Sequence, residues 1–297
     1  MKQIKIGMLK RVRVITLAED YAGYSTFCYA QHGISFLIEV ENEIATKRIL
    51  FDVGYSAEPI IHNVKLLNID LSTIDIIFLS HTHWDHTWGL IDILKTIDKE
   101  IPIIVHPDIF RPTLKFAPGP MYNGIYGISG KDTMSKIEEN KGKLFFVRES
   151  FPIIDGVLST GEIREKVEFE KELTAKGAYV IEDGLIKEDD LHDEISVILS
   201  LSDGMVIVTG CGHPGVASIV NRAKNITGIQ KVKAVIGGFH LIGASEERIK
   251  RSVRYLKETG VERVFTGHCT GLKAEAEFLK GFGERFEKLH SGKIIEL

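Results

Sequence analysis

Apolar residues fall in short runs near 12–17, 34–40, 47–52, 74–80 and 101–105, each rich in Val, Ile, Leu or Phe and bounded by charged or glycine-containing stretches. Runs of this length and composition predict strands. Between them, residues 57–67 and 88–98 place apolar side chains three and four apart, which predicts helices packed by one face. In the second half, Ile195-Ser-Val-Ile-Leu-Ser-Leu201 and Met205-Val-Ile-Val-Thr209 flank Ser202-Asp-Gly204, a hairpin signal. Further strands are expected over 232–236 and 261–266, and helices over 214–226, 245–259 and 271–281. Strand–helix alternation of this kind predicts an α/β or α+β protein, each half contributing a sheet with helices outside it.

Residues 107–190 break that rhythm with Pro107, Pro112, Pro118 and Pro120 and a glycine-rich stretch from Gly119 to Gly130. Long connections without regular periodicity are commonly functional, and this one is expected to be a lid inserted into a single domain spanning 1–297. Its front end, Phe110-Arg111-Pro-Thr-Leu-Lys115-Phe116, sets two cations among aromatic rings. Arg111 and Lys115 are therefore candidate substrate contacts for a phosphate beside a flat heterocycle, with Met121, Tyr122 and Tyr126 along the same wall.

The run Ile74-Asp-Ile-Ile-Phe-Leu-Ser80 stops at His81-Thr-His83-Trp-Asp85-His86, three imidazoles and a carboxylate within six residues. Side chains at His81 and His83 project the same way from extended backbone, while Asp85 and His86 lie past a bend, so one loop can serve two cations. Neutral imidazole suits Zn, Fe, Ni or Cu and the carboxylate extends the choice to Mn and other divalent ions, so the ligand set gives a class of metal; one or two divalent ions are expected, zinc first with Mn, Fe or Mg as alternatives. His240 follows two glycines that let the backbone approach a ligand, making it a candidate proton donor or substrate contact. His32, His62, His106 and His290 have no partner spacing and are expected in ordinary roles.

With His81, His83, Asp85 and His86 matching His-x-His-x-Asp-His in full, the chain resembles the metallo-β-lactamase fold superfamily. His32-Gly-Ile-Ser-Phe-Leu-Ile-Glu39 and Ile49-Leu-Phe-Asp-Val-Gly54 look like the two strands before that motif. Thr209-Gly-Cys211-Gly-His213-Pro-Gly215, Gly237-Gly-Phe-His240-Leu and Gly267-His268-Cys-Thr-Gly271 resemble the branch holding the archaeal 7,8-dihydropterin-6-methyl-4-(β-D-ribofuranosyl)-aminobenzene 5'-phosphate synthases and uncharacterised relatives. The resemblance implies a four-layer αββα sandwich with strand ends meeting at the metal loops. It also implies His268 as a ligand of the second metal.

The sequence departs from the wider superfamily at two places. Where hydrolases of this fold carry Gly-His-Thr-Pro-Gly, this chain reads Leu191-His192-Asp193-Glu194, and where they carry a bridging Gly-Asp it reads Gly210-Cys211. A bridging carboxylate is thus replaced by a thiol or lost. His213 ranks above His192 as the third imidazole, because it sits inside the branch-like Cys-x-His-x-Gly pattern. The expected metal ligands are His81, His83, Asp85, His86, His213, His268 and Cys211, with Asp85 and His240 in catalytic roles.

Two chemistries follow from the resemblance. In the transfer implied by the branch, an aminobenzene bearing a ribosyl phosphate displaces diphosphate from a dihydropterin diphosphate. In the alternative, a phosphoester or thioester is hydrolysed, and a third reading is a ligand sensor that binds metal without turnover. Oxygen-reducing di-iron chemistry is disfavoured, since that branch has a glutamate where His83 stands and adds a flavin domain.

Composition narrows the partners. The chain has 297 residues, 44% hydrophobic, and a net charge of −4, so it carries no general basic field for nucleic acid. No apolar run is long enough to span a bilayer. Charges interrupt Met1-Lys-Gln-Ile-Lys-Ile-Gly-Met-Leu-Lys10, and Cys28, Cys211 and Cys269 form no disulfide framework, so a cytoplasmic enzyme with a small-molecule substrate is expected. A homo-oligomer is compatible with this reading.

Overall fold

The computed structural model describes residues 3–116, 123–172 and 177–297. Alternate residues of the central strands bury into different cores. In Ser35–Glu41, Phe36, Ile38 and Val40 enter one core and Leu37 another; in Thr46–Phe51, Ile49 and Phe51 oppose Leu50. The hairpin Val197–Leu201 and Gly204–Val208 repeats this, with Val197, Leu199, Val206 and Val208 facing Phe36 and Phe51 while Ile198 and Ile207 face away. Strands buried on both faces read as nearly continuous apolar runs, which is why these segments were visible in the sequence.

Two seven-stranded sheets result. The first runs in the order Ile294–Glu296, Arg11–Ala18, Ser35–Glu41, Thr46–Phe51, Ile76–Phe78, Ile101–Val105 and Gly142–Phe146. The second runs Phe286–Lys288, Val261–Gly267, Val232–Gly238, Gly204–Val208, Val197–Leu201, Val157–Ser159 and Phe151–Ile154. Helices Ala57–Leu66 and Leu90–Ile97 cover the outer face of the first sheet, and Val216–Thr227, Glu246–Glu258 and Leu272–Phe282 cover that of the second. The layers are therefore helix, sheet, sheet, helix, an α+β sandwich. Thr46–Phe51, Ile76–Phe78 and Ile101–Val105 are parallel in one sheet, and Gly204–Val208, Val232–Gly238 and Val261–Gly267 in the other. Their C-terminal ends lead directly to Asp52, His81, Cys211, His240 and His268.

The region 107–190 divides into three parts. Gly142–Phe146 extends the first sheet, and Phe151–Ile154 with Val157–Ser159 extends the second. Among the described residues, Thr113–Lys115, Gly124–Ile125, Ala178–Glu182 and Leu185–Glu188 stand apart as a small four-stranded sheet. The edge strands carry weak signals because they are short and half-exposed, Phe151–Ile154 having four residues and including Pro152. The C-terminal strands Phe286–Lys288 and Ile294–Glu296 were missed for their length of three residues each. Among the described residues no helix is long and apolar enough to cross a membrane.

The stacked pair Phe51–Phe78, with ring centroids 5.3 Å apart and both rings fully buried, sits at the centre of the inter-sheet core. Phe78→Ala should cost about 3–5 kcal/mol of stability in urea unfolding. A loss below about 1 kcal/mol would show that the two sheets do not depend on this contact.

Candidate metal centre

Three imidazoles converge at the strand ends. Ligand atoms of His81, His83 and His213 all lie within 4.8 Å of one another, with ring centroids 4.6 to 4.8 Å apart. The Nε2 atoms of all three are buried and have no hydrogen-bond partner. Buried polar atoms are normally paired, so three unpaired nitrogens aimed at one point fit a cation. A second set, Asp85, His86, Cys211 and His268, adjoins it within the same spacing. Asp85 Oδ2 is 3.3 Å from His268 Nε2, and Cys211 Sγ is 3.2 Å from His86 Nε2 and 3.5 Å from His268 Nε2. Asp85 Oδ1 is also buried without a partner.

Local structure separates the two sets. His83 ends the extended segment and Trp84–Thr87 forms a helical turn, which carries Asp85 and His86 round to the second set. Cys211 also lies within 4.8 Å of His213 and His240, so the thiol stands between the sets.

Carboxylates and a hydroxyl hold the far sides of the rings. His86 Nδ1 is 2.7 Å from Asp52 Oδ2, which also accepts from Ser80 Oγ, and that hydroxyl lies 2.8 Å from His81 Nδ1. Glu194 Oε2 is 2.7 Å from His213 Nδ1, and the same carboxylate accepts the N–H groups of Cys211, Gly212 and His213. Asp20 Oδ1 is 2.6 Å from His268 Nδ1, and Glu19 accepts the His268 N–H. Such partners fix which nitrogen each ring presents to the centre. Asp52, His240 and His268 adopt positive φ of 55°, 43° and 48°, which puts backbone strain at the centre. Gly210 is required because a Cβ there would sit 2.2 Å from Ser80 Oγ.

Burial, reinforced by the neighbouring imidazoles, pushes His81 and His83 well below the ordinary histidine range and lowers His213 as well. Burial opposes ionisation of Glu194, yet His213 and the backbone N–H groups bring it down to about 2. For Asp85 too, burial is outweighed by His86 and His268, and the carboxyl is held well below its usual range. The first set thus holds its imidazoles in the neutral form a divalent ion requires, whereas at His86 and His268 burial is outweighed by Asp85, Asp52 and Asp20 and both are raised.

His240 reaches the centre, its ring 4.5 Å from His213, while its Nδ1 is buried without a partner. Arg111, expected as a phosphate contact, turns inward to an acidic pair. Its guanidinium lies 2.6 Å from Asp189 and 2.8 Å from Asp193, with its side chain only 7% exposed. Asp193 in turn accepts the Thr82 N–H, so the buried charge is neutralised internally and braces the metal loop. Lys115 is half-buried with Nζ 5.7 Å from the Tyr126 centroid, and burial lowers its pKa. Met121 and Tyr122 lie outside the described residues.

His192 stands apart from both sets. It bridges Asp190 at 2.5 Å and Asp108 at 3.0 Å, and the Asp190 hydrogen bond raises it to about 9. His106 and Asp108 adjoin it, but Arg148 lies 2.8 Å from Asp108 and Arg111 3.0 Å from His192, so guanidinium charge already fills this cluster. His62 stacks on Tyr29 at 3.6 Å and His290 lies edge-on to Tyr21. His32, expected in an ordinary role, instead joins the rim of the centre. Its Nδ1 is 2.9 Å from Asp20 and its Nε2 3.4 Å from Asp85. The sequence reading also passed over Asp20, Asp52, Ser80 and Glu194 as holders of the rings. Asp52 and Glu194 fell inside segments already singled out, whereas Asp20 carries no sequence signal.

Comparison with known proteins agrees with this architecture. The model of the metallo-beta-lactamase superfamily matches residues 32–268. The 7,8-dihydropterin-6-methyl-4-(beta-D-ribofuranosyl)-aminobenzene-5'-phosphate synthase of Methanocaldococcus jannaschii is 48% identical over 295 residues, 99% of each chain. An uncharacterised protein of the same organism is 32% identical over 282 residues, 95% of this chain and 99% of that one. Among solved structures, a metal-dependent hydrolase of the beta-lactamase superfamily superposes with a TM-score of 0.78 at 24% identity, covering 96% of this chain and 99% of the other.

If Asp20 orients His268, Asp20→Asn should weaken metal retention at the second set about ten- to hundredfold and leave the first set unchanged. Stepwise release to a graded chelator measures this, and an unaltered two-step profile would remove Asp20 from that role. Protonated His192 gives a pH dependence of opposite origin. Its folded pKa of about 9 lies above the unfolded value near 6.5, so its stabilisation is complete below about pH 6.5 and lost as pH rises through about 9. Thermal melts from pH 6 to 10 should show this decline, and His192→Gln should flatten it.

Proposed function

The chain belongs to the metallo-beta-lactamase superfamily, and on that premise we propose that it is a metal-dependent enzyme coupling a dihydropterin diphosphate to a ribosyl-phosphate arylamine. The observation that carries this reading is the presence of two adjoining buried ligand sets in a chain similar over 99% of its length to a synthase of that name. His81, His83 and His213 would hold one ion, and Asp85, His86, His268 and Cys211 the other. Divalent ions held there supply positive charge to a diphosphate as it leaves.

The remaining work falls to the protein's own groups. The arylamine nitrogen forms a bond to the pterin methylene, the methylene–oxygen bond breaks, and diphosphate departs with the electron pair. The amine must lose a proton, and His240 Nδ1, buried at the centre and without a partner, is placed to accept it. Lys115 is the cation assigned to the ribosyl phosphate, since Arg111 is consumed by Asp189 and Asp193. Burial of the ligand sets limits water at the methylene, which favours coupling over hydrolysis. Cys211 in place of a bridging carboxylate favours the same outcome, because a thiol is a poorer partner for a shared hydroxide.

The reading is tested by mass spectrometry of purified protein given both substrates with Zn, Mn, Fe or Mg in turn. The coupled product is expected, and Asp85→Ala should reduce it to background. Diphosphate release without coupling would replace the synthase by a hydrolase.

A further inference from the structure

The following rests on the synthase reading and concerns the rim of the same centre. The turn Trp84–Thr87 buries Asp85 and His86, while Trp84 and Trp88 remain half-buried. The Trp84 ring lies 4.9 Å from Tyr55, 5.7 Å from Trp88, 5.4 Å from His32 and 6.2 Å from Tyr126. Tyr126 also stands 4.5 Å from the ring of His83. An aromatic surface therefore runs unbroken from the first ligand set outward to Tyr55, which is 43% exposed.

This group differs from the aromatic core. Phe51 and Phe78 are fully buried and nearly parallel, at 13°. The rings around Trp84 meet at 51° to 82° and stay partly open to solvent. Tilted and edge contacts leave face area for a parallel ring, and a wide aromatic surface beside a polar centre is a recognition feature. The wall is also held in place before any ligand arrives. Trp84 N–H donates to the Tyr126 carbonyl, Trp88 Nε1 donates to the Gly127 carbonyl, and His83 bridges Gly127. Preorganisation of this kind lowers the entropy lost on binding.

We infer that Trp84, Tyr55 and Tyr126 form the subsite for the planar nitrogen heterocycle of the substrate, with the ring lying against this wall and its exocyclic methylene toward the ligand sets. His32, held between Asp20 and Asp85, marks one end of this wall, and Lys115, 5.7 Å from the Tyr126 centroid, marks the other, where the phosphate of the second substrate would lie. The small sheet carrying Lys115 then contributes through Tyr126 rather than as a separate cover.

The test is calorimetric titration of the metal-loaded protein with 6-hydroxymethylpterin and, separately, with inorganic diphosphate. Tyr55→Ala and Trp84→Ala should each weaken pterin binding about tenfold, within the range of one stacked ring, while Trp84→Phe loses less. Diphosphate affinity should stay within about twofold of wild type in Tyr55→Ala, whose position lies outside the metal loop. Wild-type pterin affinity in both alanine variants would overturn the subsite and leave the synthase reading standing. Wild-type protein that binds diphosphate but no pterin would overturn both. Should Trp84→Ala lose metal, Tyr55→Ala decides alone.

Discussion

Imidazole nitrogens buried side by side without partners are the constraint around which this molecule is arranged. His81, His83 and His213 point unpaired Nε2 atoms at one another from positions no more than 3% exposed. Water is largely excluded there, and protonation would place like charges a few ångströms apart. A shared cation satisfies all three at once. The carboxylates of Asp52, Glu194 and Asp20 make sense on the same terms, since each takes the outer nitrogen of a ring and leaves the inner one for the centre. Strained backbone at Asp52, His240 and His268 is tolerated because the sheets behind it are rigid and continuous.

Cys211 gives the centre its particular character. Its sulfur lies between the two sets, within reach of His86, His268, His213 and His240. Burial and the adjoining Cys269 thiol push the Cys211 thiol well above its ordinary range. A bound cation acts in the opposite direction, because thiolate is the ligating form. The charge state of this one side chain is thus tied to occupancy of the centre.

The brace beneath the metal loop illustrates how a cation can mislead. Arg111 reads as a phosphate contact when seen beside Phe110 and Phe116, but three-dimensional neighbours decide otherwise. Asp189 and Asp193, some eighty residues away, close on its guanidinium, and Asp193 passes the connection to the Thr82 N–H. Removing one member would strand a buried charge, which is why such networks serve as struts.

The amino-acid sequence by itself determined the α/β or α+β class and the cluster of candidate ligands in one loop, because both are written in local pattern; the layered sandwich came with the family resemblance and the structure. Strands buried on two faces show as apolar runs, outer helices show as three-to-four spacing, and His81, His83, Asp85 and His86 lie within six residues. It also singled out His213, His240 and His268 at the ends of predicted strands. What only the tertiary structure decided was partnership between distant residues. Asp20 meeting His268, Glu194 meeting His213, Arg111 turning inward and Trp84 gathering Tyr55 and Tyr126 all depend on how two sheets stack and where their ends coincide. Local periodicity records which face of an element is buried; it carries no record of which other segment will be packed there.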